Sequence, residues 1–374
     1  MNLLALRNLF HDKVRLVVTL TGVVFALVLM AVQSGIFLGF ITMISGVVDH
    51  SGADLWVATR GLQNWDMPQA FSEHKLYQVK AVPGVRDAQK VIVTGVNWKK
   101  PDGGLEGAEV VGFDPDGAMV GPWNLTEGRL SDLKLADAVI IDELFREKLG
   151  VTHLGQAVEI NGFRARIVGF TRGIRSFTTN PFVFTTFKNA LNYSALRQNQ
   201  TMYVVVRLQP GADPEAVKRS LRARIANIDV FTAAELSHKT QLYWMMMTGA
   251  CMTLAVAALL GLLVGIAIVA QTIYATTMDH LRDFGTLKAM GASNGYVYGV
   301  ILYQAVYSAV IGYAIGMAIS MGCAYLSRNA FVGIVVNWQL AIGLLAVTVA
   351  MCMGSAVVSI NKVMRVDPAM VFKA

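Results

Sequence analysis

The sequence predicts an integral membrane α-helical protein with four transmembrane helices and a large α/β extracytoplasmic domain inserted between the first and second helices. Hydrophobic residues make up 54% of the 374 residues and charged residues only 15%, with a mean hydropathy of +0.49. These values are typical of membrane proteins rather than of soluble domains. Four long uncharged stretches carry the apolar residues, and a polar region, residues 50–240, separates the first stretch from the other three.

The net charge of +7 is distributed unevenly along the chain. Residues 46–241 contain 23 of the 32 Lys and Arg residues and 21 of the 25 Asp and Glu residues, so most of the basic excess flanks the apolar stretches. Such flanking charge orients membrane helices, whereas a nucleic-acid-binding protein concentrates basic residues on a groove or face. We therefore expect no nucleic-acid partner.

Each uncharged stretch is longer than the roughly 20 residues that a spanning helix needs. The first stretch follows basic residues, as in a signal peptide, but it is about twice as long as a signal core of roughly 7–15 residues, which favours a retained anchor. The predicted apolar cores are residues 16–44, 246–275, 297–326 and 338–360.

Basic residues near the spans predict the orientation. Eight Lys or Arg residues lie near the two termini and in the loop between the second and third spans, whereas the opposite short loop has only Arg328. We expect both termini and residues 279–294 in the cytoplasm, and the large domain in the periplasm of a multi-pass inner-membrane protein. The predicted domains are 1–48 (an amphipathic helix and the first span), 49–241 (periplasmic) and 242–374 (spans two to four).

The second uncharged stretch, residues 240–278, is too long for the membrane alone. At about 1.5 Å per residue, a continuous helix of this length would greatly exceed a hydrocarbon core of about 30 Å. We expect its outer end, residues 242–247, to project from the bilayer and to couple the outside domain to the membrane helices.

The outside domain shows an α/β pattern with a weak internal repeat. Strands are predicted at residues 54–59, 91–96, 139–141, 202–208 and 228–231, with helices opening at Ser72 and at Asp213–Pro214. Paired strand-helix-strand units predict a split subdomain interrupted by an insertion at about 105–190. Apolar residues alternate around Asn161-Gly162, which predicts a tight structural hairpin.

Motifs for chemistry are missing from the sequence. It has no GxxxxGK[ST] phosphate loop, no HExxH or paired metal-ligand spacing and no GxSxG nucleophile motif. The spans contain no ionisable residue that would carry protons. Cysteines occur only in apolar stretches, which excludes a disulfide framework. We therefore predict no catalytic, cofactor or metal residue in this chain.

Small and polar residues in the spans allow two interpretations each. The glycine pairs 35/39, 261/265 and 312/316 have the spacing of close helix contacts, either within the chain, which we favour, or at a dimer seam. Gln33, Ser34, Gln304 and Ser308 are candidates for a substrate path or for hydrogen bonds within the bundle.

Between the second and third spans lies a short amphipathic segment with an apolar residue every third position. It reads Asp279, His280, Leu281, Arg282, Asp283, Phe284, Gly285, Thr286, Leu287, Lys288, Ala289, Met290 and Gly291. This run resembles the cytoplasmic coupling segment of MacB-type (FtsX superfamily, type VII) ABC transporter permeases. The phrases "GADLWVATRG", "VVGFDPDGAMVGPW" and "VEINGFRARIVGFTRGI" are most similar to the DevC-like branch, with HrtB-like permeases as near relatives.

The resemblance covers the whole chain and implies a mechanism. It implies a second copy of the chain, two cytosolic ABC ATPase subunits that bind ATP and Mg, a periplasmic adaptor and an outer-membrane channel. By this resemblance residues 279–291 contact the ATPase, whose motion the spans transmit to the outside domain. Phe284 and Leu287 suit the groove of such an interface, and the mixed charges around them can pair across it.

Three functions follow as hypotheses. The first is export of a lipid-like or amphiphilic substrate, with haem or drug efflux as the alternative within transport. The second is FtsX-like mechanical signalling to a cell-wall hydrolase, which the large, split outside domain disfavours. The third, a membrane-anchored enzyme, is disfavoured by the missing catalytic motifs.

Overall fold

The structure is a computed structural model that describes residues 13–176, 180–247, 249–279, 294–327 and 333–363. The chain divides into two compact units. Met1–Gly39 and Gly249–Ala374 form the helical unit, and Phe40–Thr248 form the α/β unit.

The helical unit contains long apolar helices. Among the described residues, four helices are long and apolar enough to cross a membrane, which confirms the four predicted spans. Their buried side chains form a common cluster that includes Val23, Leu27, Val269, Ala305 and Met351. The helices are α1 (Lys13–Ile44), α8 (Ala250–Asp279), α9 (Asn294–Leu326) and α10 (Trp338–Val363).

The three glycine pairs pack within the chain. A Cβ at Gly39 would overlap the carbonyl oxygen of Gly333, and the carbonyl of Gly35 accepts a 3.0 Å hydrogen bond from the backbone N–H of Val335. The other two pairs face α1, where the nearest atoms belong to Leu29, Ala26, Val23 and Leu27. Such close approach requires the absence of a side chain. The favoured interpretation, packing within the chain, is confirmed.

The α/β unit is built on a ten-stranded sheet in the described residues. The strands of the unit are β1 (Leu55–Thr59), β2 (Phe71–Ser72), β3 (Val85–Lys99), β4 (Leu105–Phe113), β5 (Leu125–Glu127), β6 (Ala138–Asp142), β7 (Ala157–Ile160), β8 (Phe163–Thr171), β9 (Phe182–Thr186), β10 (Gln200–Thr201), β11 (Tyr203–Leu208) and β12 (Ile228–Thr232). The order of the ten-stranded sheet is β12-β1-β11-β3-β4-β9-β6-β8-β5, with β7 beside β3 and β8, and β2 and β10 form a separate pair. The helices are α2 (Gly46–Asp49), α3 (His74–Lys80), α4 (Arg146–Leu149), α5 (Phe187–Tyr193), α6 (Pro214–Arg224) and α7 (Ala233–Met247).

The two similar stretches of the sequence meet in one half of this sheet. β1 lies between β11 and β12 and is antiparallel to both, and β3 pairs with β11. Helices α3 and α6 contribute Val79, Val217 and Leu221 to one apolar cluster beneath these strands. Asp213 caps α6 by accepting from two backbone amides, and Pro214 occupies the first turn, as the sequence predicts. The helix predicted to open at Ser72 is α3, and it begins at His74 because Phe71–Ser72 pair with β10.

The predicted hairpin is confirmed. Ile160 of β7 pairs directly with Phe163 of β8, and Asn161 and Gly162 have φ values of 48° and 83°. Two successive positive φ angles are those of a type I′ turn, which Asn-Gly favours. β4–β9 and β6–β8 are parallel pairs in the same region of the sheet.

The long uncharged stretch 240–278 contains two helices rather than one. Its first part belongs to α7, which ends at Met247, and α8 begins at Ala250. Gly249 between them has a φ of +62°, a left-handed conformation that ends a helix readily only at glycine. The predicted projecting segment, residues 242–247, therefore lies in the α/β unit.

Candidate functional site

The α/β unit holds, at one place, both chain segments that lead to membrane helices. Trp65 lies in the loop between β1 and β2. Its Nε1 donates to the carbonyl of Ile44, the last residue of α1, at 3.1 Å, and its backbone N–H donates to Thr240 Oγ1 of α7, also at 3.1 Å. The side chains of Trp65 and Thr240 are both buried, so water does not compete for these hydrogen bonds. One loop residue thus binds the end of α1 and the middle of α7.

Neighbouring residues add further bonds to the same place. Trp244 Nε1 of α7 donates to Asp66 Oδ2 at 2.7 Å, and Gln241 Nε2 donates to Ser45 Oγ at 2.8 Å. Ser45 is fully buried and donates in turn to Asp49 Oδ2 at 2.6 Å. We call the residues that make these contacts the junction: Ile44, Ser45, Trp65, Asp66, Thr240, Gln241 and Trp244.

The sheet seats the junction loop. Tyr203 of β11 is fully buried and donates from its hydroxyl to the carbonyl of Trp65 at 2.7 Å. The Trp65 ring stacks on Phe182 of β9, with ring centroids 6.1 Å apart. Aromatic contacts of this kind add directional stabilisation to the area that they bury. The loop is therefore anchored on two strands from opposite halves of the sheet.

Burial governs the electrostatics around Asp66. Loss of hydration raises the pKa of Asp66 to about 7, although the bond from Trp244 works in the opposite direction. Burial, together with the nearby Asp66 carboxyl, also raises the pKa of Glu109 of β4 well above its usual range. Burial, and to a smaller extent the same two carboxyls, raise the pKa of Tyr203. Two carboxyls with little water between them favour keeping a proton at neutral pH.

The junction has the chemistry of a buried hydrogen-bonded contact. In the described part of the chain, no group of three or more His, Cys, Asp or Glu side chains is placed to hold a metal ion. The junction consists instead of donors and acceptors from distant parts of the sequence, joined in a buried place. It fixes the end of α1 and the middle of α7 to one loop of the α/β unit.

Comparison with known proteins identifies the family. The family model for the MacB-like periplasmic core domain matches residues 16–224, which is more than half of the chain, and the model for the FtsX-like permease C-terminal matches residues 255–368. The chain belongs to the MacB/FtsX-type ABC transporter permeases. It is a membrane protein with an extracytoplasmic domain, as this family membership and the four apolar helices show.

Individual relatives have the same overall extent. An uncharacterized ABC transporter permease of Mycobacterium tuberculosis is 25% identical over 371 residues, and one of Mycobacterium bovis is 24% identical over 371 residues, with 98% of both chains covered in each case. Among solved structures, the periplasmic region of MacB from Actinobacillus actinomycetemcomitans covers 51% of this chain and 94% of its own (12% identity, TM-score 0.38). The extracellular domain of the noncanonic ABC-type transporter YknZ from Gram-positive bacteria covers 48% of this chain and 98% of its own (17% identity, TM-score 0.36).

The predicted ATPase-coupling segment lies mostly outside the described residues. Asp279 is the last residue of α8, and residues 280–291 are not described. The assignment of this segment of the permease therefore stays a prediction. The N-terminal amphipathic helix predicted before the first span also lies outside the described residues, which begin at residue 13.

Among the polar span residues, Gln33 and Ser34 line a small cavity of about 110 Å³ beside Leu254 and Ala258 of α8. Ser308 is buried within α9. A substrate path along these residues stays a prediction.

Sequence reasoning missed the junction loop of the permease. The only local signal is an Asp placed between Trp65 and Met67. Its partner Trp244 is 178 positions away, so no spacing rule connects the two residues.

Proposed function

We propose that this permease transmits the motion of a separate cytosolic ATPase to its α/β unit and thereby exports a lipid-like or amphiphilic molecule. The junction is the observation that supports this proposal. A permease that moved substrate only through its membrane helices would not need an outside unit bonded so firmly to the end of α1 and to α7, the helix that precedes α8.

The geometry of α1 suits transmission of force. The helix has 32 residues, so at 1.5 Å per residue it is about 48 Å long, more than the roughly 30 Å of a bilayer core. Its last residue, Ile44, is the one whose carbonyl Trp65 binds. A displacement along this rod therefore reaches the loop that is seated on the sheet, with little slack between them.

The proposed assembly contains several partners. Four spans are few for a transporter, which supports a second copy of the chain. ATP and Mg would be bound by the cytosolic ABC ATPase subunits, which would contact residues 279–291. We further propose a periplasmic adaptor and an outer-membrane channel, as in the DevC-like branch, with both termini of the permease in the cytoplasm of an inner-membrane protein.

Replacing Phe284 with Glu tests the coupling step. A charge in the apolar groove of the ATPase would weaken that contact, so ATP-driven export should fall at least about tenfold while the permease stays folded. The measurement combines ATP hydrolysis by the reconstituted complex with transport of a fluorescent palmitate analogue in proteoliposomes.

Phe163→Glu is the matched control, because Phe163 is 48% exposed on β8 of the α/β unit. It introduces the same charge away from the proposed contact and should leave transport unchanged. Full transport in the Phe284→Glu variant would show that the coupling assignment is wrong.

A further inference from the structure

Two adjoining clefts open along one side of α7 in the α/β unit. The larger has a volume of about 670 Å³ and the smaller about 220 Å³, and both are lined by residues 61–63 and Tyr243. Together they have the size of a small-molecule site, for which roughly 300–1,000 Å³ is usual. All of their lining residues belong to the α/β unit.

The apolar side chains of the clefts are unusually exposed. Met246, in the larger cleft, is 76% exposed, and Met67, in the smaller, is 59% exposed. Leu242 of the larger cleft is 37% exposed. Flexible methionine side chains adapt to irregular apolar partners, so this lining suits a hydrocarbon chain.

The acidic residues of the larger cleft are already engaged by the protein. Asp229 Oδ2 accepts from the backbone N–H of Gly61 at 2.8 Å. Glu235 accepts from Lys218 Nζ at 2.7 Å and from the backbone N–H of Thr232 at 2.9 Å. Their carboxylate oxygens are therefore engaged by donors of the unit, and no acidic residue lines the smaller cleft, where Arg60 lies.

The basic residues of the clefts differ from the acidic residues in this respect. Neither Arg60 nor Lys239 has a carboxylate within salt-bridge distance among the residues that the structure describes. Lys239 Nζ lies 5.7 Å from the centre of the Phe231 ring. The clefts thus present two cations that are available to an anion.

A buried amide donor points to the same chemistry. Asn64 is 1% exposed and lines the smaller cleft beside Arg60. Its Oδ1 accepts from the backbone N–H of Met67 at 3.0 Å, but its Nδ2 has no hydrogen-bond partner in the described structure. A buried donor without an acceptor is unfavourable, and a ligand oxygen that reached it from the smaller cleft would satisfy it.

We propose that these clefts bind one anionic amphiphile, with its carboxylate or phosphate head beside Arg60 and Asn64 and its hydrocarbon chain along Leu242 and Met246. Lys239 adds positive potential. This inference rests on the proposed export function and names the class of its substrate, a single-chain lipid with an anionic head.

The test uses the full-length permease in nanodiscs, without its ATPase, and a palmitate probe that carries a diazirine in the chain. After illumination, mass spectrometry locates the adducts. We expect them at residues 59–69 and 239–246, and we expect excess dodecyl phosphate to prevent them. Loss of charge-assisted hydrogen bonds in the Arg60→Glu/Lys239→Glu variant should reduce the labelling about tenfold or more.

Two further variants separate binding from folding. Asn64→Asp keeps the acceptor for Met67 but replaces the free donor with a negative charge, so it should also reduce labelling. Lys188→Glu changes an exposed lysine outside the clefts and should label like the unchanged protein. All variants are compared by thermal unfolding before labelling.

Several results would overturn the proposal. These are undiminished labelling in the charge-reversed variant, equal labelling by an uncharged monoacylglycerol probe, or full protection by inorganic phosphate alone, which would indicate a site for free anions. Because labelling needs neither ATP nor transport, its result does not depend on whether the permease exports a substrate. Export without cleft labelling would refute the cleft alone, and a labelled cleft in a complex that exports nothing would refute the export function alone.

Discussion

Asp66 is a loop residue whose acidity depends on the fold. In the sequence it is an ordinary acidic residue, but in the structure it lies under α7, bonded to Trp244 and close to Glu109 and Tyr203. Desolvation dominates and raises the pKa of its carboxyl to about 7. The junction therefore holds a group that changes charge near neutral pH.

Asp66→Asn should change how stability depends on pH. Since the pKa of Asp66 is about 7 in the folded protein and near 3.8 when unperturbed, the folded protein holds a proton between these values that the unfolded chain releases. The contribution of this group to stability is thus full below pH 4 and is lost as the pH rises to about 7, at no more than about 1.4 kcal/mol per pH unit. Because Asn does not titrate, the stability of the Asp66→Asn variant should rise relative to that of the unchanged protein as the pH increases across this window.

Thermal unfolding in detergent from pH 4 to 8 measures this difference. Trp244→Phe is a useful companion variant, because it removes a hydrogen bond that lowers the pKa of Asp66 and should extend the pH window upward. Parallel stability profiles for Asp66→Asn and the unchanged protein would contradict the assigned titration.

At the scale of elements, helix packing in the helical unit depends on small residues of α1, α8 and α9. Their glycines were recognisable from spacing, but the partner of each glycine was not. Gly39 meets a backbone carbonyl at Gly333, which cannot rotate away as a side chain would. This contact makes Gly39 the most demanding position of the three pairs.

Gly39→Ala should destabilise the helical unit by about 1–3 kcal/mol, because the added methyl group overlaps a backbone atom. Gly343→Ala in α10 is the control, since a Cβ there meets no atom within 4 Å and alanine favours a helix. Denaturation of both variants in the same detergent measures the difference. Equal stability of the two variants would show that the close approach at Gly39 relaxes without strain.

Strands were predicted more reliably than the ends of helices. Runs of apolar residues located β1, β3, β6, β11 and β12, because β1, β6 and β11 are buried along almost their whole length and β3 is buried at residues 91–93. The break between α7 and α8 was not predicted, since hydropathy continues through Gly249 without change. The helix is interrupted there by the positive φ angle of Gly249.

At the scale of the whole molecule, the predicted orientation gives a direct test. With the native cysteines replaced, Lys188→Cys should react with a membrane-impermeant maleimide in intact spheroplasts. Lys288→Cys should react only after the membrane is permeabilised, because basic loops stay in the cytoplasm. Reaction of both positions in intact spheroplasts would overturn the proposed transmission across the membrane.

The amino-acid sequence by itself determined four membrane helices with a large α/β domain between the first and the second, and its resemblance to MacB-type permeases indicated the family. Hydrophobic length, flanking charge and turn residues act locally along the chain, so they can be read without a fold. Only the tertiary structure decided which residues form the junction and the clefts. Trp65 meets Thr240 across 175 positions, and Arg60 joins Asn64 and α7 beside one cavity. Contacts at such distances, and the burial that shifts a pKa or leaves a donor unpaired, exist only once the chain has packed.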